Sequence, residues 1–562
     1  MTYDVTAVRT WIAHDPEETT AKELTALLEL AENGDPNASA ELADRFQGFL
    51  EFGTAGLRGE MAGGPHRMNR AVVRRAAYGL TSWLTKKVAA DALVVIGYDA
   101  RYNSADFAHD TAAIVTAAGA RALLMPRALP TPLLAFAVRQ YGADAGVMVT
   151  ASHNPSRDNG YKVYVGGRSV DEDGNGVQIV PPIDAEIAAE IAAAPYADEI
   201  VLAESGWEII GEDLIDSYIS ATVATIPADT PRDLRIVYTA MHGVGAEVMR
   251  RVLSDAGFTD VVEVAEQNTP DPDFPTVAFP NPEEAGALDL AIGLAEEVRA
   301  DLVIASDPDA DRASVAIPGP RGWHQLSGDE IGAILGEQAA QRTVATGAQG
   351  NLASSIVSSR LLAKIAAHHG LGYRATLTGF KWIARVPQLL YGYEEAIGFC
   401  VAPHNVKDKD GLSAGLLIAE TAARLKAEGV GLADELDRLA ALHGLYLTGP
   451  VTIRVEDLSI IPATMAKVRH NPPSELIGSP VTEVIDLTQG TAELPPTDAV
   501  VLHTAAGDRV IIRPSGTEPK VKCYLEVITP TSGRDIADVR AQANARLAQF
   551  KADMSAVLRL DS

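Results

Sequence analysis

Short apolar runs alternate with longer helical patterns along most of this chain. Leu93 to Gly97, Ala122 to Met125 and Ala145 to Val149 read as buried strands, with alanine-rich helical stretches between them. Such alternation predicts a parallel or mixed sheet covered by helices. The pattern restarts twice. Leu234 to Tyr238 and Leu302 to Ala305 bracket a second α/β block, while Asn351 to Ser358, Ala375 to Leu377 and Leu389 to Tyr391 belong to a third. Ahead of the first block, Asp15-Pro16 and Asp35-Pro36 each offer an N-cap followed by proline at the first helical position. Leu24, Leu27, Leu28 and Leu30 lie between them, and Gly34 provides a stop. Ile209 to Ile226 reads as a helix across the first block boundary, and Pro227 to Pro231 as a linker. A last block starts near Val451, where Val451, Ile453 and Val455 alternate. It ends in an amphipathic helix with Ile536, Val539, Ala543, Leu547 and Phe550 on one face. The architecture recurs without a residue-level repeat.

The 562 residues are too many for one core, and a scale of roughly 150 residues per domain suggests about four. Hydrophobic residues make up 47% and charged residues 22%, a composition with ample core-forming material. The formal net charge of −28 argues against nucleic acid or an anionic membrane as a partner, and any phosphate must meet cations gathered locally or supplied by a metal. Two cysteines, Cys400 and Cys523, make no disulfide framework and fit a reducing cytoplasm. Met1-Thr2-Tyr3-Asp4 has neither a basic n-region nor an apolar core, so no signal peptide is expected, and no apolar run approaches membrane-spanning length.

Four polar loops carry the chemistry. Thr150-Ala151-Ser152-His153-Asn154-Pro155 follows the strand Ala145 to Val149 and runs on to Asp158-Asn159-Gly160-Tyr161-Lys162. A serine at the end of a strand, beside a histidine and turn signals, is a candidate covalent nucleophile. Ser306-Asp307-Pro308-Asp309-Ala310-Asp311-Arg312 follows a second strand, and its three alternate carboxylates suit one hard cation such as Mg²⁺. An EF-hand would need glycine and glutamate where Arg312 and Pro318 stand. A dehalogenase-type Asp-x-Asp site, with Asp307 as nucleophile, would need Thr or Val in place of Asp311. The third loop, Gly392-Tyr393-Glu394-Glu395-Ala396-Ile397-Gly398, presents two carboxylates suited to sugar hydroxyls, with Lys407-Asp408-Lys409-Asp410-Gly411 close behind. The fourth, Arg513-Pro514-Ser515-Gly516-Thr517-Glu518-Pro519-Lys520, combines a guanidinium fork, hydroxyls and a Ser-Gly turn into an anion cradle. Phe52-Gly53-Thr54-Ala55-Gly56-Leu57-Arg58-Gly59 and Gly97-Tyr98-Asp99-Ala100-Arg101 each deliver a further arginine from a turn.

A serine, a tri-aspartate, a di-glutamate and a Ser-Gly-Thr cradle, in that order on successive blocks, resemble the α-D-phosphohexomutase superfamily of phosphoglucomutases and phosphomannomutases. The resemblance runs from about Phe52 to the last helix and is closest to the phosphoglucomutase-2-like branch, which also includes phosphopentomutases and a bisphosphate synthase. His242-Gly243-Val244-Gly245, Pro280-Asn281-Pro282-Glu283 and Thr378-Gly379-Phe380-Lys381-Trp382 also look like family segments. It implies an α/β fold of four domains around a central cleft, three related α/β domains plus a C-terminal α+β domain. These are expected at 1–208, with the N-terminal helices and phosphoserine loop, 209–325 with the metal loop, 326–447 with the sugar loop, and 448–562 with the phosphate loop.

The implied roles follow by match to the family motifs. Ser152 is the phosphoserine, and Asp307, Asp309 and Asp311 hold one Mg²⁺ together with an oxygen on Ser152. Arg58, Lys162 and Lys409 surround the transferred phosphoryl group. Lys162 and Lys409 are alternatives for the general base, His153 belongs to the catalytic set as a loop-orienting residue, and His404 is a more distant candidate. Arg312, Thr378, Gly379 and Glu394 face the sugar phosphate, while Arg513, Ser515, Gly516 and Thr517 grip the non-reacting phosphate. One position departs from the pattern: many relatives have serine two residues after the matching glutamate, and this chain has Ala396.

The implied activity is a cytoplasmic phosphosugar mutase, an intramolecular phosphotransferase of carbohydrate metabolism acting through a phosphoserine and a sugar 1,6-bisphosphate, which also serves as activator. Hexose phosphates are the expected substrates, glucose ahead of mannose. Pentose phosphates are the alternative, followed by bisphosphate synthase or phosphatase chemistry. A monomer or homodimer is expected, with no partner beyond the small phosphosugar.

Overall fold

Valine- and isoleucine-rich strands lie at the centre of each α/β layer, because branched side chains buried on both sheet faces need helices to cover them. The computed structural model describes residues 3–51, 56–455, 459–514 and 520–558. The chain divides into two units, Met1–Gln325 with Gly398–Glu420, and Leu326–Ile397 with Thr421–Ser562.

In the first unit, the strands Glu208–Ile209, Arg121–Leu124, Leu93–Tyr98 and Ala145–Val149 run parallel. Asp158–Val165 then returns antiparallel beside Ala145–Val149, and Leu57–Glu60 pairs with its outer edge. Val94, Ile96, Val147, Val149 and Val163 form the core with Leu80, Trp83 and Phe107 from the covering helices Arg70–Lys87 and Ser104–Ala117. A second sheet repeats the design. Val261–Glu263, Ile236–Thr239 and Leu302–Ser306 are parallel, and Ala313–Gly319 returns antiparallel beside Leu302–Ser306. Both sheets therefore present one polar loop between a buried parallel strand and its antiparallel return.

The helices Val5–Ala13, Glu18–Glu32 and Pro36–Arg45 form a small separate cluster around Val8, Leu24, Leu28 and Leu42. Asp35 caps its helix as expected, accepting from the Asn37 and Ala38 N–H groups. Asp15 does not cap, because its carboxylate accepts from Glu17 N at 3.0 Å, and the helix starts at Glu18. The helix expected from Ile209 is shorter. Glu208–Ile209 pairs with the sheet edge, Ile210 N bonds Leu124 O, and the helix runs Asp213–Val223. Among the described residues no helix is long and apolar enough to cross a membrane.

The second unit holds the parallel strands Gly372–Thr376, Asn351–Ser355 and Leu389–Glu394, covered by Gly328–Ala345 and Leu361–His368. The strand expected to reach Ser358 stops at Ser355, where the Ser355 and Ser358 hydroxyls meet at 2.8 Å across a turn. A six-stranded antiparallel sheet follows, from Leu445–Arg454 through Lys520–Thr529 and Arg509–Pro514 to Glu475–Leu476. Its first strand begins six residues before Val451, since Thr448-Gly449-Pro450 hides the alternation that Leu445 and Leu447 begin. Ile536–Leu558 covers one face, burying Leu547, Phe550 and Met554.

Glu526 links the two layers of this unit. It is 1% exposed and accepts from Arg360 N at 2.7 Å, Ser359 Oγ at 3.0 Å and the Arg360 guanidinium, with Arg509 Nη2 at 3.4 Å. Burial opposes its ionisation, but the charges of Arg509 and Arg360 outweigh it and hold the carboxyl below its ordinary value. Removing one partner of such a buried pair costs about 3–5 kcal/mol. Glu526→Gln is therefore expected to raise amide hydrogen exchange along Lys520–Thr529 by about two to four orders of magnitude, and unchanged exchange would contradict this linkage.

Candidate active site

The parallel strand Ala145–Val149 ends at Thr150, and the chain must reverse within eight residues to return at Asp158. Ser152 takes φ +51°, a left-handed conformation that is strained for a serine, and its N–H donates to Thr150 Oγ1 at 2.9 Å. The loop is held from beneath by Arg101. Its guanidinium donates to four carbonyls, those of Ser152 (2.7 Å), Asn154 (2.5 Å), Pro155 (2.7 Å) and Asp158 (3.1 Å). Asp99 lies 3.4 Å behind the Arg101 Nε and accepts from Arg101 N and Ser104 Oγ. The motif Asp99-Ala100-Arg101 was visible as a strand-ending turn, but nothing local assigns the arginine to a loop fifty residues later.

The Ser152 hydroxyl donates to Asp307 Oδ2 at 2.7 Å and lies 3.2 Å from His153 Nδ1. Asp307, Asp309 and Asp311 converge from the second sheet, all at most 1% exposed, with one oxygen of each within 4.8 Å of the others. Ala310 turns this loop at φ +55°. Two glycines allow neighbouring backbone to approach it. A Cβ at Gly243 would run into Pro308, and one at Gly411 into the carbonyls of Arg312 and Ala310.

Cations from three segments surround the carboxylates. Lys162, on the returning strand, donates to Asp309 Oδ2 at 2.8 Å and Asp311 Oδ2 at 2.9 Å. Lys409 lies 3.4 Å from Asp311 Oδ2 and 3.3 Å from Asp408 Oδ1. Arg312 Nε is 3.7 Å from Asp311 Oδ1, and its N–H donates to Asp307 Oδ1. Thr131, unremarked in the sequence, donates through Oγ1 to Asp309 Oδ2 at 2.6 Å and through its N–H to Asp309 O. Asp408 is fixed in turn by Tyr164 (2.6 Å) and Gln178 (3.0 Å). Arg58 donates to Asn154 Oδ1 at 3.1 Å.

Burial, reinforced by the charges of Asp309 and Asp311, pushes Asp307 well above the usual carboxylate range. Burial also opposes ionisation of Asp309, but Lys162 outweighs it and keeps that carboxyl low. Burial disfavours the Lys162 ammonium, yet Asp309 and Asp311 hold its pKa above the ordinary lysine value, so it stays a cation. His153 is lowered well below the usual imidazole value by burial and by Arg312 and Arg58, and is neutral at pH 7. The carboxylate set fits a hard divalent cation. It offers only oxygen donors, and Asp309 Oδ1 and Asp311 Oδ1 are buried without a hydrogen-bond partner.

In the second unit, Glu394 Oε1 accepts from Gly379 N at 2.6 Å, and Arg513 Nη1 donates to Thr378 Oγ1. Gly379 sits at φ +108°, a conformation that favours glycine. The structure thus brings Thr378, Gly379, Glu394 and Arg513 together. Glu395 is turned away, accepting from Ser355 Oγ and Ser358 Oγ at 3.1 Å each. Ser515, Gly516 and Thr517 lie outside the described residues.

Comparison with known proteins agrees along the chain. The phosphoglucomutase/phosphomannomutase family models match in order, with alpha/beta/alpha domain I at residues 50–197, domain II at 216–319, domain III at 327–440 and the C-terminal domain at 451–543. A protein named probable phosphomannomutase from Haemophilus influenzae is 44% identical over 499 residues, covering 88% of this chain and 98% of the relative. The phosphoribomutase of Saccharomyces cerevisiae is 35% identical over 589 residues, covering 92% of this chain and 91% of the relative. The crystal structure of the Paramecium phosphoglucomutase parafusin, in its open form, superposes with a TM-score of 0.67 at 16% identity. That match covers 90% of this chain and 95% of the other, and shows the shared fold. With four family domains in sequence, the chain belongs to the phosphoglucomutase/phosphomannomutase family of the α-D-phosphohexomutase superfamily, and is a phosphosugar mutase, an isomerase that works by phosphoryl transfer.

Proposed function

We propose that the enzyme interconverts hexose 1-phosphates and hexose 6-phosphates, glucose ahead of mannose, through a phosphoserine at Ser152 and a hexose 1,6-bisphosphate. The observation that carries the site assignment is the Ser152 hydroxyl, 2.7 Å from a buried three-carboxylate cluster that is itself wrapped by Lys162, Lys409 and Arg312. In the forward step the P–O bond to Ser152 Oγ breaks as the sugar 6-hydroxyl oxygen bonds phosphorus, and the proton that this hydroxyl loses is balanced by the one that the released Ser152 Oγ takes up. The bisphosphate then returns its 1-phosphoryl group to Ser152. A bound Mg²⁺ would be held by Asp307, Asp309 and Asp311 and would supply positive charge against the phosphoryl oxygens. Loose phosphoryl-transfer transition states depend on positioning and on charge at the equatorial oxygens. Arg58, Lys162 and Lys409 fill that role, Arg101 positions the loop, and neutral His153 orients Ser152. Arg312, Glu394 and the Thr378-Gly379 turn take the sugar phosphate, while Arg513, with Ser515, Gly516 and Thr517, takes the non-reacting phosphate.

A pentose phosphate is the second reading. Ala396 removes a hydroxyl beside the sugar-binding glutamate, and the relative from Saccharomyces cerevisiae is named a phosphoribomutase. The deciding measurement is ³¹P NMR of the enzyme with Mg²⁺, a trace of sugar bisphosphate, and glucose, mannose or ribose 1-phosphate in parallel tubes. Glucose 6-phosphate is expected to form fastest. Faster conversion of ribose 1-phosphate would reverse the sugar assignment, and release of free phosphate alone would exclude mutase turnover.

Ser152→Ala is expected to abolish phosphoenzyme formation from glucose 1,6-bisphosphate while leaving thermal stability close to wild type. Label retained on the variant would sink the phosphoserine assignment.

Arg101 touches the loop and not the substrate, so its loss should act on rate. Arg101→Gln removes charged donors from four loop carbonyls, of which that of Ser152 is buried. Hydrogen bonds to charged groups are worth about 1.5–3 kcal/mol each, and the change is expected to lower kcat by about 100-fold or more with KM changed by less than about threefold. Arg101→Lys should recover part of kcat. A matching rise in KM, or no effect on kcat, would contradict the positioning role.

A further inference from the structure

Beside the helix Arg70–Lys87, and lined by none of the active-site residues described above, the first unit contains a cavity of about 410 Å³. Its walls come from the helix Val5–Ala13, the chain just after Pro36–Arg45, the helix Arg70–Lys87 and the turn at Tyr196. Much of this wall, up to Phe49, precedes the part of the chain that the family's first domain model matches. The walls are flat and aromatic. Trp11 and Phe49 stand 6.3 Å apart between ring centroids, and Tyr196 stacks on His14 at 3.8 Å and 4°. Phe49 is 54% and Tyr196 46% exposed, so both rings keep apolar surface accessible.

One charged group faces these rings. The Arg75 guanidinium lies over the Phe49 ring at 4.9 Å and donates to the Ile191 carbonyl at 3.1 Å. Among the described residues no carboxylate pairs with it, although the protein carries 75 acidic side chains against 47 basic ones. Its neighbours on the same helix differ, since Arg70 and Arg74 share Asp110 at 2.7 and 2.9 Å. Burial lowers the Arg75 pKa from its ordinary value, with only Tyr196 acting against it. Among the described residues Asp4 is the one carboxylate lining the cavity, and it caps its own helix by accepting from Thr6 N at 2.8 Å. The imidazole of His14 is turned to Asp198 at 3.0 Å. A half-buried arginine without a counter-ion, set among rings, is complementary to an anion with a flat apolar body.

We propose that this cavity is a second ligand site, separate from the active site, that binds a small aromatic carboxylate. The planar guanidinium fork matches a carboxylate in geometry as well as charge. Tryptophan, phenylalanine and tyrosine faces accept an aromatic ring, and the volume lies in the range of about 300–1,000 Å³ of small-molecule sites.

The test uses the full chain and 2-naphthoate as probe, followed by calorimetry and by tryptophan fluorescence, with neutral 2-naphthylmethanol alongside. Saturable binding of one 2-naphthoate per chain is expected, at least about tenfold tighter than the alcohol. Arg75→Gln should weaken it about tenfold or more and Arg75→Lys by less. Ala7→Phe, on an exposed helical position lining the cavity, should block it with no buried group disturbed. All three variants should keep wild-type mutase activity, which reports that they are folded. Unaltered binding in Arg75→Gln and Ala7→Phe, displacement of the probe by excess glucose 1-phosphate, or no saturable binding below roughly 5 mM would each overturn the proposal.

Discussion

Three buried carboxylates within 4.8 Å of one another set the terms for the rest of the first unit. Two like charges about 4 Å apart repel by about 4 kcal/mol at an effective dielectric near 20, and part of that repulsion is expressed in the raised pKa of Asp307. The repulsion is met by groups arriving from distant parts of the chain. Lys162 comes from the first sheet, Thr131 from the start of a helix in that layer, Arg312 from the loop itself and Lys409 from the segment Gly398–Glu420. That requirement gives a physical reason for the segment to pack with the first unit, although the chain on either side of it belongs to the second. Once Gly411 lies against the Arg312 and Ala310 carbonyls, Lys409 is delivered to Asp311.

The two reactive loops share one structural solution. Each follows a fully buried parallel strand, reverses quickly, and returns as an antiparallel strand in the same sheet. Each passes through one non-glycine residue at positive φ, Ser152 in the first and Ala310 in the second. Such conformations cost about 1–3 kcal/mol and persist only where neighbours overdetermine them. Arg101 does this for the serine loop through four carbonyl bonds. Around the aspartate loop, the backbone near Gly243 and Gly411 closes in from two sides. The return strand of the first sheet also carries Lys162, so the turn that exposes Ser152 brings a cation to the neighbouring carboxylates.

The α/β layers were legible because buried strands with covering helices leave an apolar run between alanine-rich segments. The four chemical loops were legible because each follows such a run. Other features were set by tertiary pairing that no local pattern records. Asp15 looks like a helix cap but its carboxylate is taken by Glu17 N–H, and Thr448-Gly449-Pro450 masks a ten-residue strand paired along its full length with Lys520–Thr529. Of two adjacent glutamates, the resemblance selected Glu394. The structure gives a physical distinction, since Ser355 and Ser358 engage Glu395 while Glu394 meets the Gly379 turn. Arg101 stood out as an arginine delivered by a turn, but its role did not, and Thr131 went unremarked, because their partners lie 51 to 57 and 178 positions away.

The acidity of the protein sharpens the question of which cation is available to a phosphoryl group. Lys162 is bonded to Asp309 and Asp311, Lys409 is paired with Asp408 and with the same Asp311, and Arg101 spends its guanidinium on carbonyls with Asp99 behind it. A cation already neutralised at hydrogen-bond distance adds little net field at a third point. Arg58 differs. Its side-chain bond is to the amide oxygen of Asn154, two residues beyond Ser152, and burial lowers its pKa from the usual arginine value. Desolvation on that scale leaves the guanidinium charged, because arginine titrates far above neutrality. Among the described residues its hydrogen-bond partner is a neutral amide, and Asp309 and Asp311 act on it only through their charge, so it keeps donors for an incoming dianion. Among these cations Arg58 is thus the one without a carboxylate at hydrogen-bond distance, while Lys162 and Lys409 offset the repulsion among the buried aspartates.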